Sequence, residues 1–200
     1  MRTWAASALI GALAAAPAQA QEPWRLTAEA GMTSFSEAFH DSSTPPIAIG
    51  AWRPTMYTLR LTGHLGNLGV GFGASLAKSG MGGGDGTGVV VVFEDQLVLL
   101  ELAPEIRVPV IADRHGTRLI VHAGPVWDHW SLSGEQGRSR RGGLGGFTLS
   151  FPVGASWRTD LRGDIALTGS FVEPTEAVGG VQRPSHMRRS RLALGITRTL

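Results

Sequence analysis

The sequence predicts an all-β fold, an eight-stranded antiparallel up-and-down transmembrane β-barrel with long outer loops and short periplasmic turns. Three observations predict it. Apolar residues recur with a period of two along eight segments, each about ten residues or more, the length a transmembrane strand needs. The connections between segments alternate between long and short. An export signal precedes the first segment. A helical alternative is disfavoured by the 28 glycines among 200 residues. Each glycine weakens a helix interior by about 1 kcal/mol.

The export signal occupies residues 1–20. Met1-Arg2-Thr3 carries one positive charge, Trp4 opens an apolar run, and Pro17-Ala18-Gln19-Ala20 ends in a small-x-small pattern. This reads as a Sec-type signal peptide cleaved after Ala20. Its apolar run is shorter than the roughly 20 residues a spanning helix requires. Residues 21–200 then form one outer-membrane barrel domain. Cysteine is absent, which excludes disulfides, a thiolate metal site, a Cys nucleophile and a lipoprotein anchor. The net charge is only +2, so no nucleic-acid partner is expected.

The alternation can be followed along the chain. Leu26, Ala28, Ala30 and Met32 alternate with Arg25, Thr27, Glu29 and Thr33. Tyr57, Leu59, Leu61 and Leu65 alternate with Thr58, Arg60, Thr62 and His64. Leu68, Val70, Phe72, Ala74 and Leu76 alternate with Gly69, Gly71, Gly73 and Ser75. Val98, Leu100, Leu102, Pro104, Ile106 and Val108 share one face, opposite Glu101, Glu105 and Arg107. Leu119, Val121, Ala123, Pro125 and Trp127 lie opposite Arg118, His122, Gly124 and Asp128. Phe147, Leu149, Phe151 and Val153 lie opposite Gly146, Thr148 and Ser150. Trp157, Leu161, Ile165, Leu167 and Phe171 lie opposite Arg158, Asp160, Arg162, Asp164 and Thr168. Leu192, Leu194, Ile196 and Leu200 lie opposite Arg191, Ala193, Gly195 and Thr197.

Long connections are expected at residues 35–56, 78–96 and 172–187, and an intermediate one at 133–141. Short ones are expected at 66–67, 112–116 and 154–155. Long loops outside and short turns in the periplasm are the asymmetry of an outer-membrane barrel, with both termini periplasmic.

Alternation alone does not say which face meets water. A soluble lipocalin-like barrel alternates too, with its apolar set inside. Here the polar face is rich in glycine and holds no lysine. Its charges nearly balance. Arg25, Arg60, Arg107, Arg118, Arg158, Arg162 and Arg191 stand against Glu29, Glu101, Glu105, Asp128, Asp160 and Asp164. Buried charges are tolerated when paired, and arginine pairs carboxylates bidentately. These residues are therefore expected to form a lumen network. Within it, Asp160, Arg162 and Asp164 are expected to meet Arg191 on the neighbouring strand, with Arg118 or Asp128 across the lumen. Trp24 and Trp157 are placed at the periplasmic edge, and Tyr57, Trp127 and Trp130 at the outer edge, where aromatic girdles sit.

On these residues the chain resembles the small eight-stranded outer-membrane β-barrel proteins, the group of the OmpA transmembrane domain and OmpX. The segments ELAPEIRV and LIVHAGPVWDHWSL are also similar to stretches of uncharacterised bacterial outer-membrane barrels. The resemblance implies insertion by the barrel assembly machinery, contact with outer-membrane lipid and lipopolysaccharide, and a monomer. It also implies a terminal aromatic, where this chain has Leu200 with Arg198 on the apolar face. The expected role is structural or surface-interactive through the outer loops, without catalysis or cofactor.

Other readings remain. A narrow ion or small-solute channel would use the lumen charges; eight strands instead favour a lumen filled by side chains. A soluble periplasmic binding barrel is a third class. A fourth is a lipid A-modifying acyl hydrolase. His129 and Ser131 resemble the His-x-Ser pair of outer-membrane lipid A deacylases, and would face outward near the outer leaflet. Glu135 and Glu173 are loop candidates for a third member. His64 and His122 read as lumen histidines and Asp85 as a loop residue, so no metal site is expected.

Overall fold

In the computed structural model the chain forms β1 (Arg25–Phe35), β2 (Phe39–His40), β3 (Ala48–Trp52), β4 (Thr55–Leu65), β5 (Leu68–Gly84), β6 (Val90–Ala112), β7 (Arg118–Leu132), β8 (Arg138–Pro152), β9 (Trp157–Gly169) and β10 (His186–Thr199). The structure describes residues 23–36, 39–40, 48–65, 68–84, 90–132, 137–171 and 186–200. Residues 1–20, Asp85, Glu135 and Glu173 lie outside them.

Eight strands pair antiparallel in the cyclic order β1, β4, β5, β6, β7, β8, β9, β10. The first and last close the barrel, with Ala28 opposite Ile196 and Thr33 opposite Arg191. Closure leaves no barrel edge to be capped in an apolar medium, which is why barrels can span one. No helix occurs among the described residues.

The chain ends and two turns gather at one end of the barrel. Leu200 N donates to Trp24 O at 2.8 Å, and Thr199 N to Ser156 O at 2.9 Å. The turn between β6 and β7 is closed by Gly116 N to Asp113 O at 3.1 Å, with Gly116 at φ 85°. An added Cβ is strained at that φ, so glycine belongs there. Asp113 accepts from the amides of His115 and Thr117 at 2.9 and 2.8 Å. Slight desolvation raises its carboxyl, and these bonds outweigh it, leaving the group below its ordinary range.

Several strands run past the ends expected from sequence. Residues 78–84 and 90–96, expected within a loop, continue β5 and β6, with Met81 opposite Phe93. β8 begins at Arg138, inside the expected 133–141 connection, and β10 at His186. Beyond the start of β4, the edge of β5 is taken over by β3, where Trp52 pairs with Gly80. Once a strand leaves the lipid its outward face no longer needs to be apolar, so the alternation fades while backbone pairing continues.

The barrel is apolar outside and charged inside. Leu59, Ile165, Leu192, Leu194 and Ile196 are all more than half exposed. On the opposite face Arg60, Glu101, Asp128 and Arg162 are buried to 2% exposure or less. Trp24, Tyr57, Trp127 and Trp157 point outward, and the Arg198 guanidinium lies over the Trp157 ring at 5.6 Å. Phe171, expected on the outer face, and Trp130, expected in the girdle at the outer edge, are instead inside. Trp130 shares its parity with Asp128, and Phe171 follows the end of β9, where the strand no longer fixes its direction.

Candidate functional site: the charged lumen

Six side chains form a closed ring of alternating charge across the middle of the lumen. Arg60 Nε donates to Glu29 Oε1 at 2.9 Å, and its Nη1 to Glu105 Oε2 at 3.0 Å. Arg162 Nη2 donates to the same Glu105 oxygen at 2.7 Å, and its Nε to Asp164 Oδ2 at 2.9 Å. Arg191 Nε donates to Asp164 Oδ2 at 2.9 Å, and its Nη2 to Glu29 Oε2 at 3.4 Å. Arg107 adds a bond to Glu105 Oε1 at 2.7 Å, and His122 Nε2 lies 2.6 Å from Asp164 Oδ1. Glu105 thus holds three guanidinium groups, one from each of β4, β6 and β9. Desolvating such ions costs several kcal/mol each, and only dense mutual pairing offsets that.

Glycine makes the ring possible. Four of its six members and two close neighbours face glycine across a strand: Arg60 faces Gly73, Glu105 faces Gly71, Arg107 faces Gly69, Asp164 and His122 face Gly146, and Glu29 faces Gly195. A Cβ at Gly73 would lie 2.8 Å from Arg60 Nη1, and one at Gly71 2.9 Å from Glu105 Oε1. With no side chain on β5 there, Arg60 of β4 reaches Glu105 of β6 across the intervening strand. Gly146 on β8 serves His122 of β7 and Asp164 of β9 in the same way.

Away from the turn end, Arg191 Nη1 donates to Thr58 Oγ1 at 2.7 Å, Thr58 to Ser75 Oγ at 2.8 Å, and Ser75 to Glu101 Oε1 at 3.3 Å. This chain leads to a second charged tier. Arg189 contacts Glu101, and its Nη1 lies 3.7 Å from Asp128 Oδ1. Arg189 was not among the residues expected in the lumen. Its parity with Arg191 is the signal for it, but the alternation expected for the last strand begins only at Arg191.

An apolar cap lies beyond that tier. Met56, Ala77, Leu97, Leu99, Trp130, Phe171 and Met187 form one buried cluster, with Phe35 and Met81 against it. Trp130 meets Phe171 at a centroid distance of 4.8 Å and Phe35 edge-on at 5.4 Å. Arg138 Nη1 and Arg140 Nε donate to Phe171 O and Ser170 O at 2.8 and 2.5 Å, holding that segment folded in.

The remaining expected lumen residues are placed elsewhere. Arg118, Arg158 and Asp160 line a pocket at the turn end, where Arg158 Nε donates to Ser150 Oγ at 2.7 Å. The expected contact of Arg191 with Asp164, its cross-strand neighbour, is present. Two others are corrected. Asp160 sits four residues nearer the turn end and accepts from Thr197 at 2.6 Å. Asp128 meets Arg189, because its level in the barrel lies above Arg162.

His129 and Ser131 face outward as expected, but the described partner of His129 Nδ1 is Ser139 Oγ on β8, at 3.0 Å. Register explains it, since His129 and Ser139 are opposite each other. Asp128 points into the lumen, so it does not orient His129. Among the described residues no three His, Asp or Glu converge as metal ligands.

This inside-out barrel has the fold that defines the small eight-stranded outer-membrane β-barrel proteins. Among solved structures it is similar to neisserial surface protein A (NspA), with a TM-score of 0.60 and 13% identity, covering 91% of this chain and 100% of that one. A second similar structure is Ail, the attachment invasion locus protein of Yersinia pestis, with a TM-score of 0.43 and 12% identity, covering 88% and 99%. At 13% identity the likeness to NspA is one of fold. No protein-family model and no curated protein sequence matches the chain.

Proposed function

We propose that this protein resides in an outer membrane as a closed, non-conducting barrel and acts through contacts made at the end far from the turns. The observation that carries this reading is the stacking of an apolar cap and two charged tiers within one lumen. An eight-stranded barrel is just wide enough for side chains to fill. Its turn end faces the periplasm, its apolar band contacts outer-membrane lipid and lipopolysaccharide, and the barrel assembly machinery inserts it as a monomer. Its role is structural or surface-interactive rather than catalytic. His129 and Ser139 form a pair with no described third group to orient the imidazole as a base.

Cell-envelope fractionation with heat-modifiable gel migration tests this reading. The protein should be in the outer-membrane fraction, and protease added to intact cells should cut within residues 36–54 or 79–95. A soluble periplasmic protein, or cuts confined to residues 112–116, would overturn it.

A further inference from the structure

Positive charge is unevenly spread along the lumen. The central ring sets three arginines against three carboxylates, and the tier above it sets Arg189 against Glu101 and Asp128. The pocket at the turn end differs. Arg25, Arg107, Arg118 and Arg158, from four different strands, line it against a single carboxylate, Asp160. Its volume is about 40 Å³, room for a few waters or one small anion.

The pocket is held in place by its own bonds. Arg158 Nη2 donates to Gly116 O at 2.5 Å and to Ser150 O at 3.1 Å. Arg107 is anchored on Glu105 at 2.7 Å. Asp160 Oδ2 accepts from Thr197 at 2.6 Å, and Thr197 is in turn 2.7 Å from Thr27. Asp160 is 6% exposed, and its other oxygen, Oδ1, is buried without a hydrogen-bond partner. A buried acceptor of that kind calls for a donor.

We propose that this pocket binds inorganic hydrogen phosphate, an anion that still carries a P–OH. The arginines supply charge-assisted donors to its oxygens. Asp160 Oδ1 accepts the hydrogen bond of its P–OH. At and somewhat above neutral pH inorganic phosphate keeps a proton, whereas sulfate and phosphodiesters have none and a phosphate monoester is mostly a dianion without one. Asp160 therefore acts as a discriminator, since an anion without a donor would set its own oxygen against the carboxylate. The inference goes beyond the proposed closed barrel and stands on the pocket alone.

The test uses the mature chain refolded in a maltoside detergent, with inorganic phosphate titrated and followed by calorimetry and ³¹P line broadening. Saturable phosphate binding is expected, at least tenfold tighter than sulfate. At about pH 8, where a monoester is a dianion without a P–OH and inorganic phosphate keeps one, neither glucose 6-phosphate nor glycerophosphocholine should compete. Arg118→Gln should weaken phosphate at least tenfold, whereas Lys78→Gln, on the outward face, should not. Asp160→Asn should remove the preference over sulfate while heat-modifiable migration stays intact. Absence of saturable binding, or equal affinity for phosphate and sulfate in the unaltered protein, would overturn the proposal. Competition by either ester would also overturn it, by showing that a P–OH is not what is read.

Discussion

Arg191 on β10 bonds Asp164 on β9 and, at 3.4 Å, Glu29 on β1. It thereby bridges the two neighbours of its own strand across the seam where the first and last strands close the barrel. The strand pairing closes the wall, and this side chain closes the charged ring inside it.

Arg162 carries two links of that ring. Arg162→Ala leaves Glu105 and Asp164 each with one guanidinium fewer. Removing one partner of a buried pair costs about 3–5 kcal/mol. Urea titration of the barrel in lipid vesicles should show a loss of that order, with raised small-ion leakage. Unchanged stability and leakage would remove Arg162 from the plug.

Gly73→Val tests the role of the glycine face of β5. Its Cβ would sit 2.8 Å from Arg60 Nη1, which is also bonded to Glu105. Displacing a packed group costs about 1–3 kcal/mol. The same measurement should show that loss, and Gly143→Val should be milder, because a Cβ there meets nothing nearer than 3.9 Å.

The barrel and its facing were legible because lipid imposes a two-residue alternation on every spanning segment. The glycine–charge complementarity was legible only as composition, since which glycine faces which charge depends on register. That Arg191 reaches Asp164 but not Asp160 likewise depends on register. The apolar cap was missed because Leu97, Leu99 and Trp130 carry lumen parity but not lumen polarity. Their neighbours on the same faces, Glu101 and Asp128, suggested a lumen polar throughout. A polar face read by residue type is blind to a change of chemistry along the barrel axis.

The outward face is tested by charge. Leu161 lies opposite Leu194, and Leu100 is 45% exposed on β6. An arginine facing lipid costs about 2–4 kcal/mol at the bilayer midplane. Leu161→Arg and Leu100→Arg should each lower the yield of heat-modifiable barrel in vesicles. Assembly of both at the unaltered level would reverse the assigned facing.

Trp130→Ala tests the cap. Truncating a buried tryptophan costs about 3–5 kcal/mol. Urea titration should show the loss, and near-ultraviolet circular dichroism should lose the signal of the Phe35, Trp130 and Phe171 cluster. Trp127→Ala, on the outer face, should leave that signal in place.

Single-barrel conductance in a planar bilayer tests the closed lumen most directly. The ring of Glu29, Arg60, Glu105, Arg162, Asp164 and Arg191, with the cap above it, predicts no steady current for the unaltered protein and measurable leakage for Arg162→Ala. A steady current at the level of a water-filled porin in the unaltered protein would contradict the account.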